Sequence, residues 1–232
     1  MNVRGLNPSE PKNQVATSRT KMSAAFTYRK KNVKISETLS AIDEVHNVSN
    51  LPVIPISVTS KLDQNVDGEF RSTISGIPYD IQISSAASTP RMTVAHEIGH
   101  FIDLSGIKRT GFFAESKING ALSEWWEAVE NSDAFKKWKE IKQNGGLFDA
   151  NGNIIEKVED SYIEYSMRQR ELWARSYAQF IATRTSNSTM KAELADALTY
   201  RFPNQWEDSD FAPIEKAIYN RSEEHTSELQ SR

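Results

Sequence analysis

The sequence predicts an α+β fold, with a small, mostly antiparallel sheet ahead of one buried helix and then a mainly helical C-terminal half. Three observations carry that expectation. Strand-like alternation and turn residues crowd residues 51–84, and long helical periodicity dominates from residue 119 onward. Between them lies Met92-Thr93-Val94-Ala95-His96-Glu97-Ile98-Gly99-His100-Phe101-Ile102, an apolar helix that carries four polar side chains.

Residues 1–34 hold eight Lys/Arg and a single acid, Glu10, and are poor in apolar side chains. They read as a disordered basic segment. Residues 36–48 have helical spacing through Leu39, Ile42 and Val45, with Ser36 as a cap. Residues 51–58 read as a strand that Pro52 and Pro55 confine to an edge or a bulge. Residues 68–75 and 79–84 read as two strands joined at Gly76-Ile77-Pro78. The motif helix is expected over 91–104, and loop over 106–118.

Residues 119–142 read as helix, its tryptophans Trp125, Trp126 and Trp138 as core. Asn144-Gly145-Gly146 and Asn151-Gly152-Asn153 flank Leu147-Phe148, which suggests a hairpin or a lid inserted at 140–157. One long helix over 159–185 follows, then shorter ones near 189–200 and 211–219. The domain is placed at 35–220.

His96-Glu97-Ile98-Gly99-His100 is an H-E-x-x-H pentapeptide. On a helix, positions i and i+4 share one face, so two imidazoles can grip one zinc ion. Glu97 then sits where its carboxylate can act as general base on a metal-activated water. By composition alone, such a pentapeptide arises in roughly one chain in a hundred of this length. Two histidines on an apolar helix also need partners or a metal.

A catalytic zinc takes three protein ligands. His46 lies upstream in another segment, His225 lies in the tail, and the chain has no cysteine. The third ligand is therefore expected to be a carboxylate. Glu171 fits best, because Glu171, Ala174, Ala178 and Ala182 share one helical face and small residues permit close helix packing. Glu124, Glu127 and Glu164 are the alternatives. Asp103, three residues after His100, could accept an imidazole N–H or could simply end the helix. Gly99 costs the helix about 1 kcal/mol against alanine, which makes sense where another backbone approaches closely.

These segments resemble the anthrax lethal factor-like metallopeptidases and similar phage-encoded or mobile-element enzymes of the gluzincin type. The likeness is carried by residues 93–103 and by Glu171-Leu172-Trp173-Ala174, and extends loosely over 36–215. It implies a zincin-like fold, a Zn2+ cofactor on His96, His100 and Glu171, and an endopeptidase acting on a protein or peptide substrate. It also implies an oxyanion-stabilising tyrosine about two turns before the glutamate. Tyr165 stands six residues before Glu171 instead of seven, and Tyr162 is the alternative. In zincins the strand before the metal helix is often an edge that holds extended substrate, which would be 79–84 here. A zinc-binding but non-proteolytic interaction domain is the competing reading.

Zero cysteines excludes disulfides and thiolate ligands, and no apolar run is long enough to span a membrane. With no secretory signal, a cytoplasmic location is expected. The basic head lacks the aromatic-basic pattern of nucleic-acid binders, so nucleic acid is not an expected partner. Residues 221–232 resemble the in-frame translation of a common sequencing adapter, so the native chain is expected to diverge after about Asn220.

Overall fold

A computed structural model describes residues 21–29, 31–47, 51–105, 114–115, 122–149 and 151–228, of which 221–228 are described as backbone only. The chain is α+β with a small mixed sheet. A 3-10 turn at Met22–Ala25 leads into β1 (Phe26–Thr27) and helix α1 (Val33–Val45). Strands β2 (Ile54–Thr59), β3 (Gly68–Ser72) and β4 (Pro78–Ser84) precede α2 (Pro90–Ser105). Helices α3 (Ser123–Asn131) and α4 (Asp133–Asn144) follow, then a hairpin of β5 (Gly146–Phe148) and β6 (Ile154–Lys157). The chain closes with α5 (Asp160–Ser166), α6 (Gln169–Arg184), α7 (Ser188–Leu198) and α8 (Asp208–Glu228). None of the described helices is long and apolar enough to cross a membrane.

The sheet order is β1-β2-β4-β3. β1 and β2 are parallel, β2 and β4 are parallel, and only β3 and β4 are antiparallel. The expected mostly antiparallel sheet is thus corrected to a mixed one. β1 enters parallel beside β2, with α1 as the crossover between them, and β4 runs parallel to β2 while pairing antiparallel with β3. The basic head is accordingly ordered from Met22, whose side chain is buried in the core along with Phe26. The first 20 residues of that head lie outside the described ones.

β1 also makes β2 an interior strand, not the edge or bulged strand expected from its prolines. Pro55 ends the two-residue register with β1 and precedes the β4 register, which starts at Ile56. Its missing N–H therefore interrupts little of either ladder. Similarly, 79–84 is an interior strand, and among the described residues the edge on that side is β3.

One face of the sheet is apolar through Ile54, Ile56, Ile81 and Ile83, all buried with α1 and α2 in a single cluster. Phe101 on α2 packs edge-to-face with Phe26 and Phe70, with ring centres at 5.2 and 6.0 Å. The start of α2 is fixed from α7. The Glu193 carboxylate accepts from the Arg91 and Met92 N–H groups at 2.7 and 3.0 Å, satisfying two donors that a helix start leaves open. The Arg91 guanidinium bridges Glu193 and Glu37, joining α7 to α1.

Two expected long helices are each broken. Ser132, in extended conformation, separates α3 from α4 and its hydroxyl accepts from the Phe135 N–H at 3.2 Å. Met167 and Arg168 separate α5 from α6, and Arg168 is extended. The expected hairpin is present as β5–β6, and Trp125 and Trp138 are core residues as expected.

Candidate metal centre

α6 is buried nearly all round, from Glu171 to Ala182. It lies against α2 at very short range. A Cβ added to Gly99 would stand 2.9 Å from Ala174 Cα and 3.3 Å from Tyr177 Cβ, so only glycine admits this approach. Trp173 Nε1 donates to the Gly99 carbonyl at 3.2 Å and fixes the sliding register of the two helices. The small-residue face read from the sequence thus meets the glycine read from the sequence.

That approach brings three donors together. His96 Nε2 and His100 Nε2 stand 3.2 Å apart, and each is 3.4 Å from Glu171 Oε2. These ligand atoms form the candidate metal-holding group among the described residues. An ion about 2.0–2.1 Å from tetrahedral nitrogen and oxygen ligands spaces them by about 3.3 Å, so this triangle has the right size for zinc. Glu171 Oε2 is buried without a hydrogen-bond partner, which a metal would satisfy. The donor set, two imidazoles and one carboxylate with no thiolate, also suits zinc.

Charge in the cluster is strongly coupled. Burial acts to raise the Glu171 carboxyl, but the two imidazoles outweigh it and hold the group well below the usual carboxylate range. For His100, burial disfavours the charged ring, while Glu171, Glu97 and Asp103 more than compensate and favour protonation. Glu97 is 5% exposed, and burial lifts its carboxyl above the ordinary range. The nearby imidazoles and the Phe70 backbone N–H offset part of that rise.

Sequence reading missed the contribution of β3. A Cβ at Gly68 would lie 2.7 Å from Thr93 Cγ2 and 2.8 Å from Glu97 Oε1. Glycine there lets the sheet edge touch the Glu97 side chain. Nothing in the sequence marks it, since Asp67-Gly68 reads as an ordinary turn pair.

The remaining candidates separate clearly. Tyr165 lies near Glu171, and burial together with that carboxylate's charge raises its phenol. Tyr162 lies elsewhere, packed on Trp138 and Phe202 with centroids at 5.9 and 5.5 Å. The break at Met167–Arg168 explains why six residues, not seven, bring Tyr165 to Glu171. Glu124 and Glu127 line a separate cleft of about 540 Å³ with Asp210 and Lys216, and Glu164 is exposed on α5. Asp103 accepts from the Ala114 N–H at 2.7 Å, anchoring the return of the chain after α2. His46 lies at the end of α1, its Nδ1 3.2 Å from the Tyr177 hydroxyl, and the His225 side chain is outside the described residues. Arg175 was also missed, although a lone cation inside the apolar run 171–182 was a visible signal. No family model, curated protein or solved structure matches the chain.

Proposed function

We propose that the chain is a zinc-dependent peptidase, of the gluzincin type that its two motif segments resemble. The convergence of His96 Nε2, His100 Nε2 and Glu171 Oε2 within 3.4 Å, with buried Glu97 beside them, carries the reading. His96, His100 and Glu171 would hold the ion. Zinc supplies a Lewis acid that polarises a carbonyl and brings the pKa of water towards neutrality.

The chain's own groups do the rest. Glu97 accepts the proton of the attacking water and delivers it to the leaving amine. The Tyr165 hydroxyl donates to the oxyanion as charge develops. Among the described residues β3 is the sheet edge, and it offers main-chain groups to an extended peptide, so strand addition moves from 79–84 to Gly68–Ser72.

The test is hydrolysis of a casein-peptide mixture by the zinc-loaded protein and by Glu97→Gln. The variant is expected to bind zinc as the parent does and to lose about 100-fold or more of the rate. Full rate in Glu97→Gln would end the mechanism. Zinc binding without hydrolysis by the parent would reassign the site to the non-proteolytic reading.

A further inference from the structure

Arg175 is 8% exposed, and a buried guanidinium is costly unless its hydrogens are placed. Among the described residues it makes no ion pair. Its Nη1 instead donates to the Ser166 carbonyl at 3.0 Å, the last residue of α5. Its guanidinium carbon also lies 6.0 Å from the centre of the Tyr165 ring, within cation–π range. Both contacts fall on the last turn of α5, immediately before the break at Met167–Arg168.

That break matters for Tyr165. A seven-residue helix that is not continuous with α6 does not inherit its orientation from it. Tyr165 is 41% exposed, so packing alone leaves one side of its ring unsupported. Glu171, by contrast, is held by α6 itself. Arg175 stands one turn beyond Glu171 on the same helix. It therefore ties the α5 terminus to the element that carries the metal ligand.

We propose that Arg175 is a positioning residue, which locks the α5–α6 break so that the Tyr165 hydroxyl stays against the His96/His100/Glu171 cluster. This rests on the metal-site reading above. The planar fork is essential to it, because one face must serve the ring while an N–H serves the carbonyl. Lysine supplies the charge without that geometry.

The test uses the full chain loaded with cobalt(II) and carrying 13C-labelled tyrosine. The Tyr165 ring signal is identified among seven tyrosines by its loss in Tyr165→Phe. In the parent, cobalt is expected to displace that signal strongly. In Arg175→Met the displacement should be lost, and in Arg175→Lys it should be intermediate, with one cobalt per chain retained in both. A folded Arg175 variant of either kind that keeps the parent's full displacement overturns the proposal. A parent that binds no cobalt sinks the metal site itself, a distinct outcome that removes the inference with it.

Discussion

The α2–α6 pair and the satellite built on α4 solve packing in opposite ways. Between α2 and α6 the contact is made by Gly99 and Ala174, so two backbones nearly touch and polar side chains above them are held at fixed spacing. In the satellite, Trp138, Ile141, Leu147 and Ile163 form their own cluster, and Trp138 stacks on Phe202 with ring centres 5.8 Å apart. Large rings there fill volume and bury area. The difference teaches that small residues here set geometry while large ones set stability.

Three substitutions sharpen that contrast. Trp138→Ala empties the satellite and should cost about 3–5 kcal/mol in denaturant unfolding. Zinc affinity should stay unchanged, and a parallel loss of zinc would break the division of labour. Gly99→Ala adds one methyl where 2.9 Å is available, and should cost about 1–3 kcal/mol through overpacking. Here zinc affinity, read by chelator competition, should fall as Glu171 is pushed away, despite the smaller stability loss. The gentlest is Ser132→Ala. It removes the α4 cap and the acceptor for Trp206 Nε1 at 3.1 Å, and should cost about 0.5–2 kcal/mol with zinc untouched.

Much of the site was legible in the sequence because its constraints are local. His96 and His100 share a face by helical spacing alone. Glu171 was singled out by the alanines below it, and Gly99 by its cost in a helix interior. Both features reflect the same close approach. The strand order was not legible, since it depends on the non-local β2–β4 pairing and on β1. That two-residue strand lies in a basic segment whose composition argues against structure. Its arrival made β2 an interior strand, while β4 is interior because it pairs with both β2 and β3, which leaves β3 as the edge beside Glu97. The helix breaks were missed for another reason. Apolar periodicity continues through Ser132 and Met167 and masks the breaks, although Asn131-Ser132-Asp133 carries a helix-cap signal. Tyr165 reaches Glu171 only because of the second break.

The most direct measurement is bound zinc per chain for the parent and for Glu171→Ala, each prepared folded and free of chelator. One zinc in the parent is expected, with affinity in the variant reduced beyond the roughly 10–100-fold that outer-shell partners are worth. A folded parent without zinc, or a variant that binds it equally well, would contradict the His96/His100/Glu171 centre.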